Sequence, residues 1–175
     1  REDLLLHTAD TLDAALALDV RTGSRVTAVD PHTRTVSVQT TETAYTLSYD
    51  ALLLAPGAVA VRPPIAGLDH PAVHSLRTIP DLDRISAHVD RLLAARADRS
   101  APRAVVVGAG FIGLEAVEAL TTRGLRVDLV ELADHVLPPL DPELAPLVAT
   151  ELTGHGVGLH LGVSAQGIST QDVAS

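Results

Sequence analysis

The chain has 175 residues, of which 46% are hydrophobic, and this is enough to bury the core of one or two compact units. Its formal net charge is −9, and its arginines form no basic stripe, so no nucleic-acid partner is expected. The chain has no cysteine and no apolar run near the roughly 20 residues that span a bilayer. We therefore expect a cytoplasmic protein with no membrane contact, no disulfide and no thiolate zinc site.

The first half of the chain predicts a helix, an antiparallel meander, a buried strand and a second helix. Apolar residues at helical spacing follow a threonine cap over residues 8–19. From Arg25 onward the alternation changes to period two between turn-rich breaks, which predicts a three-stranded antiparallel meander. The continuous apolar run over residues 51–55 predicts a strand that is covered on both faces. An apolar stripe over residues 81–97 predicts an amphipathic helix.

The second half alternates strands with helices, which is typical of a Rossmann-like α/β fold. The polar, proline-interrupted stretch over residues 99–103 precedes it and marks a predicted domain boundary. The eight histidines form no metal-ligand pattern, so no metal site is predicted. The patterns place strands over residues 104–107, 126–131 and 157–161, and helices over residues 112–123 and 142–153.

A glycine-rich turn joins the first strand and helix of this second half. The turn reads Gly108-Ala109-Gly110-Phe111-Ile112-Gly113 and follows a run of three valines. Gly108 permits the tight turn, Gly110 lacks the Cβ that would block a pyrophosphate, and Gly113 lets the helix pack close to the strand. The free N–H groups at the helix start and the helix dipole favour phosphate binding. The motif in this context predicts a site for a pyridine dinucleotide.

An acidic residue at the end of the next strand indicates which dinucleotide is bound. Glu131 lies 23 residues after Gly108, close to the spacing of the acid that accepts the adenosine ribose hydroxyls. Its carboxylate would also repel a 2′-phosphate, and residues 132–134 include no arginine to compensate. We therefore predict NADH rather than NADPH. The alternative is a structural strand–helix–strand unit whose glycine turn binds nothing.

With these motifs, the chain resembles the FAD-dependent pyridine nucleotide-disulfide oxidoreductases. Within that family it is most similar to the coenzyme A-disulfide reductases, NADH peroxidases and NADH oxidases. The resemblance covers nearly the whole chain in the family's order. It rests on residues 49–58 (YDALLLAPGA), 64–67 (PIAG), 73–77 (VHSLR), 108–115 (GAGFIGLE) and 136–143 (VLPPLDPE). Leu140 departs from the pattern, because peroxidase-like relatives can carry a tyrosine there.

The resemblance implies cofactor roles for particular residues. It places Ala55, Pro56, Gly57 and Ala58 at the FAD, and Ile112 at the NAD through its backbone. It also implies that Arg77 and the backbone of Val26 contact the FAD. Glu115 would be a catalytic residue beside the nicotinamide and the flavin. Each role has an ordinary alternative. Residues 55–57 would form a strand-ending turn, and Arg77 would be a solvated surface arginine. Val26 would pack in the core, and Glu115 would stabilise the start of a helix.

The resemblance also implies how the chain is organised and what it does. Residues 1–99 would close an FAD-binding domain and residues 100–175 would open an NAD(H)-binding domain. We expect an internal fragment of a homodimeric enzyme, with the fragment inactive alone. The enzyme would pass hydride from NADH to FAD, and electrons on to a disulfide, peroxide or oxygen, using a small-molecule or protein acceptor. The alternatives are an NADH-dependent ferredoxin or rubredoxin reductase, and a non-catalytic dinucleotide-binding module.

Overall fold

A computed structural model describes residues 6–95 and 100–169 of the protein. The described residues pack into two compact units, the first ending at Gly57 and the second beginning at Ala58. The mixture of helices and sheets confirms the predicted α/β class. Among the described residues, no helix is long and apolar enough to cross a bilayer. The elements of the first unit are α1 (Ala9–Leu16), β1 (Arg25–Asp30), β2 (Thr35–Gln39) and β3 (Ala44–Ser48).

The predicted antiparallel meander is confirmed in the first unit. Its strands pair in the order β1-β2-β3, with β2 in the centre. Val38 pairs with Val26 on one side and with Tyr45 on the other. Val36 and Val38 are buried because alternate residues of the central strand point to the same face. These two valines are the buried residues in the described part of the first unit.

The strand predicted over residues 51–55 is wrong. These residues belong to no strand, and Leu53 is 89% exposed. A strand needs a neighbour to accept and donate its backbone hydrogen bonds, and no described strand pairs with this segment. An apolar run indicates that a segment favours burial. Whether it forms a strand also depends on a neighbouring strand with which its backbone can form hydrogen bonds.

The second unit contains a three-stranded parallel sheet in the order β4-β5-β6. A helix lies between each strand and the next, as the alternating pattern predicted. Parallel neighbours need such a crossover because the chain must return to the same end of the sheet. The elements are α2 (Ile79–Ala94), β4 (Arg103–Val107), α3 (Phe111–Thr122), β5 (Arg126–Val130), α4 (Ala145–Gly154) and β6 (Gly158–His160).

The core of the second unit lies around the central strand β5. Val127 and Leu129 of β5 are buried together with Val117 of α3. Val89 of α2 belongs to the same core, so α2 packs with this unit. The boundary stretch predicted over residues 99–103 begins at residue 99, which lies outside the described residues. The division into FAD-type and NAD-type portions therefore stays a prediction.

Candidate active site

The glycine-rich turn connects β4 to α3, as predicted, and the fold itself explains two of its three glycines. Gly108 has a φ of +105°, a conformation that side chains rarely adopt. A Cβ added to Gly113 would lie 1.9 Å from the carbonyl oxygen of Gly108. Both positions require glycine because the helix starts immediately against the end of the strand.

Gly110 differs from these two glycines because no described protein atom requires it. Its φ of −78° is open to any residue. A Cβ there would meet no other described atom within 4 Å. Gly110 is also the N-cap of α3, and no side chain caps this helix by a hydrogen bond. The turn therefore leaves open space beside free backbone N–H groups, which is the arrangement that a phosphate group binds.

Glu131 follows β5 directly and holds the turn from one side. Its Oε2 accepts a hydrogen bond from the Ala109 N–H at 2.6 Å, and its Oε1 accepts one from the Ala133 N–H at 2.9 Å. Partial burial of Glu131 opposes ionisation, but the backbone hydrogen bonds outweigh it, so the pKa of Glu131 lies below its ordinary value. The carboxylate is ionised at neutral pH, and each oxygen keeps a lone pair for a further donor.

A second segment holds the turn from the other side. The N–H of Leu137 donates to the carbonyl oxygen of Ala109 at 2.8 Å. Leu137 has a φ of +50°, which is uncommon for a leucine. Ala109 is 0% exposed, and both its N–H and its carbonyl oxygen form hydrogen bonds. The sequence motif drew attention to residues 136–143, but it carried no signal for this contact.

One shallow, open cavity of about 330 Å³ brings residues from two separate motifs together. Arg77, for which FAD binding was predicted, lines it beside Glu115, which was predicted to be catalytic. Leu76, Phe111 and Ile112 supply the apolar part of the lining. Phe111 and Ile112 are largely exposed, so their side chains are available to a ligand. The cavity therefore combines a cation, an anion and an apolar surface of the kind that flat heterocycles bind.

Arg77 also contacts a second residue predicted to bind FAD. Its Nε–H donates to the carbonyl oxygen of Ala58 at 3.0 Å. This bond joins the segment that begins the second unit to the loop that precedes α2. Gly57, the last residue of the first unit, has a φ of +74°.

The remaining predicted FAD residues lie in the first unit. Ala55, Pro56 and Gly57 are exposed and belong to no helix or strand. Val26 is half exposed and lines a separate depression on the meander, beside Tyr45 and Arg21. Their cofactor roles stay predictions. In the part of the chain that the structure describes, no group of three or more His, Asp or Glu side chains could hold a metal ion.

Comparison with known proteins finds relatives that match nearly the whole chain. The chain is 34% identical over 91% of its length to an NADH oxidase of Methanocaldococcus jannaschii. It is 32% identical over 92% of its length to a coenzyme A disulfide reductase of Staphylococcus haemolyticus. A rhodocoxin reductase of Rhodococcus erythropolis is 31% identical over 98% of the chain. The chain spans 35%, 35% and 38% of these relatives, respectively, which is slightly more than a third of their length.

The fold comparison agrees with the sequence comparison. The crystal structure of reduced CoADR-RHD from Bacillus anthracis superimposes with a TM-score of 0.82 at 35% identity. The match covers 97% of this chain and 30% of that one. The family model described as pyridine nucleotide-disulphide oxidoreductase matches residues 5–175. The predicted resemblance is confirmed, and the chain belongs to the pyridine nucleotide-disulphide oxidoreductase family.

Proposed function

We propose that this chain forms the place where NADH meets FAD in a flavoenzyme that moves hydride from NADH to FAD. The observation that carries the proposal is the cavity shared by Arg77, Phe111, Ile112 and Glu115. One of these residues was expected at the flavin and the others at the dinucleotide, on the basis of separate motifs. Their meeting in one cavity is what a direct transfer between the two cofactors requires, because the reacting atoms must come within contact distance.

The turn supports NADH as the electron donor. The space beside Gly110 and the uncapped start of α3 suit a pyrophosphate. Glu131 is ionised and held by two backbone N–H groups, so it is oriented before any ribose arrives. The exposed neighbour Leu132 offers no positive charge to a 2′-phosphate. We therefore assign the site to NADH rather than NADPH.

The residues around the cavity also suit a flavin. Arg77 would hold FAD from the side of Ala58, and the cofactors would cover the exposed apolar lining, which would exclude water from the transfer. Glu115 would orient the nicotinamide. FAD, when bound, supplies the acceptor of the hydride, and the protein supplies orientation. Contacts from Val26, Ala55, Pro56 and Gly57 belong to the same proposal, as do an FAD-binding portion over residues 1–99 and an NAD-binding portion over residues 100–175.

Two classes of final acceptor are supported by the relatives. The NADH oxidase and the coenzyme A disulfide reductase favour a small-molecule acceptor such as oxygen, peroxide or a disulfide. The rhodocoxin reductase favours a protein that takes single electrons. We propose the small-molecule acceptor first, with the protein acceptor as the second candidate. A homodimer in the cytoplasm is part of the first proposal.

An anaerobic titration with NADH, followed by the absorbance spectrum, tests these proposals on the full-length protein that carries this sequence. A flavin spectrum that bleaches on addition of NADH supports the proposed transfer. A second equivalent of NADH per flavin would indicate an additional two-electron centre and favour disulfide chemistry. Complete reduction by one equivalent would favour the protein acceptor. A colourless protein that still binds NADH would contradict the proposal and leave a binding module.

A further inference from the structure

The carboxylate of Asp81 binds the backbone immediately before helix α2. Its Oδ2 accepts hydrogen bonds from the Thr78 N–H and the Thr78 hydroxyl, both at 2.7 Å. The same oxygen accepts the N–H of Arg77 at 3.1 Å. Thr78 in return accepts the N–H of Asp81 through its hydroxyl, which completes a capping box.

The bond from Arg77 is not part of this capping box. A capping box joins the N-cap residue, here Thr78, to the third residue of the helix, here Asp81. Arg77 lies one residue before the cap, so helix formation does not require its N–H to be bound. The additional bond ties the cavity-lining arginine to the start of the helix.

Asp81 is well placed to hold this position. Its side chain is only 16% exposed, and its second carboxylate oxygen pairs with Arg84. Hydrogen bonds from Thr78, first from its hydroxyl and then from its backbone, lower the pKa of Asp81 below its usual range. The group is therefore an ionised acceptor at neutral pH, with its orientation set from both sides.

These contacts hold Arg77 at both ends. Its backbone N–H is bound to Asp81, and its side-chain Nε–H is bound to the carbonyl oxygen of Ala58. An arginine that is already held in place loses less conformational freedom when it binds a ligand than a free one does. Arg77, held in this way, lines the cavity together with Glu115.

We propose that Asp81 is a positioning residue for the flavin, acting through Arg77. This inference rests on the proposed function, because it assumes that Arg77 binds FAD. Asp81 does not line the cavity, and its contacts among the described residues are with the backbone and side chains at the start of α2. Its role is to keep Arg77 oriented before the cofactor binds.

The test is a double-mutant cycle on the full-length protein, with the FAD dissociation constant measured well below the melting temperature. Asp81→Ala is expected to weaken FAD binding by about 3- to 10-fold, the range of one or two lost hydrogen bonds. Arg77→Ala is expected to weaken it more. The double variant should bind FAD no worse than Arg77→Ala, because Asp81 has no other route to the cofactor. Additive losses, or unchanged binding in Asp81→Ala, would overturn the inference.

Thr78→Ala is the matched control for the helix cap. It removes the hydroxyl of the capping box and lowers the melting temperature, but it leaves the backbone bond from Arg77 to Asp81. FAD binding should stay at the unmodified level, whereas a loss equal to that of Asp81→Ala would mean that cap stability alone is responsible. If Asp81→Ala does not fold, Asp81→Asn keeps only an uncharged, weaker acceptor oxygen and enters the same cycle: a loss of FAD affinity that disappears in the background of Arg77→Ala supports the inference, and additive losses or unchanged binding contradict it.

The cycle separates this inference from the proposed function. An unmodified protein that holds no flavin contradicts both. Normal FAD binding in Arg77→Ala contradicts the role of Arg77 and of Asp81, while bleaching by NADH would still support hydride transfer. Strong loss in Arg77→Ala with none in Asp81→Ala contradicts the positioning role alone.

Discussion

The dinucleotide turn and the segment predicted to lie at the flavin were both recognised from short motifs, yet they differ in how they are held. Ala109, inside the turn, is fully buried and has its N–H bound to Glu131 and its carbonyl bound to Leu137. Leu53, inside the apolar run over residues 51–55, is exposed and lies in no strand. The turn has its partners within the described residues, and the apolar run does not.

This difference shows which parts of a site one chain can organise by itself. The turn needs two strands, a helix and one loop, all within residues 103–140, so its geometry is complete without a ligand. The segment predicted to lie at the flavin, residues 55–58, is held by one comparable hydrogen bond, from Arg77 to Ala58. We therefore expect changes in the turn to affect NADH binding strongly and specifically, and changes near Gly57 to affect FAD more mildly.

The largest effect is expected for Gly113→Val. Its Cβ would collide with the carbonyl oxygen of Gly108, which belongs to the backbone and cannot rotate away. The helix must shift, so we expect a loss of stability of about 3 kcal/mol together with loss of NADH binding. Denaturant unfolding and NADH titration would measure the two effects. Unchanged stability would show that α3 does not pack against the turn as closely as described.

Gly110→Val should separate binding from folding. The new side chain would enter open space, and its backbone angles suit valine, so stability should change by less than about 1 kcal/mol. NADH affinity should nevertheless fall at least roughly 100-fold, because the side chain occupies the place of the pyrophosphate. The flavin spectrum serves as the internal control and should be retained. NADH binding at the unmodified level would contradict the assignment of the site.

The contrast between these two glycines also shows what the sequence could predict. The valine run and the glycine spacing predicted β4 and α3 within one residue, because each depends on neighbours in the chain. The joint lining of one cavity by Arg77 and Glu115 could be reached only through the family resemblance, since it depends on how distant elements pack. The bonds from Leu137 to Ala109 and from Arg77 to Asp81 had no sequence signal. The strand over residues 51–55 failed because its partners are not among the described residues.

Glu131 is proposed to bind the adenosine ribose and also holds Ala109 by a hydrogen bond, and its replacement should affect both interactions. Glu131→Ala removes the ribose acceptor and the bond that holds Ala109, so we expect NADH affinity to fall roughly 10- to 100-fold. Adding Leu132→Arg should raise the preference for NADPH, because repulsion of the 2′-phosphate is replaced by attraction. Dissociation constants for both dinucleotides would be compared across the two variants. Equal binding of NADH and NADPH by the unmodified protein would contradict the role assigned to Glu131.

The pH dependence of NADH binding tests the same residue without mutation. The pKa of Glu131 is lowered from its ordinary value of 4.5, so the carboxylate is ionised above that pH and protonates only as the pH falls through the lowered value. We expect the contribution of Glu131 to NADH affinity to be constant from about pH 5 to pH 8 and to decline below that range. Glu131→Gln should remove the decline. A decline of the same size in Glu131→Gln would assign it to another group.

The smallest effect is expected on the flavin side, for Gly57→Ala. The φ of +74° at this position costs an alanine about 1 kcal/mol, because its Cβ crowds the backbone. Gly57 is one of the residues proposed to bind FAD, so an alanine that relaxes this angle would move a proposed flavin contact, and we expect FAD affinity to fall about 5-fold, the equivalent of that cost. NADH affinity should not change, since Gly57 lies outside the turn and its anchors. Parallel measurements of both dissociation constants would decide the matter: equal losses of NADH and FAD would show that the two regions are held as one, and the distinction between them would fail.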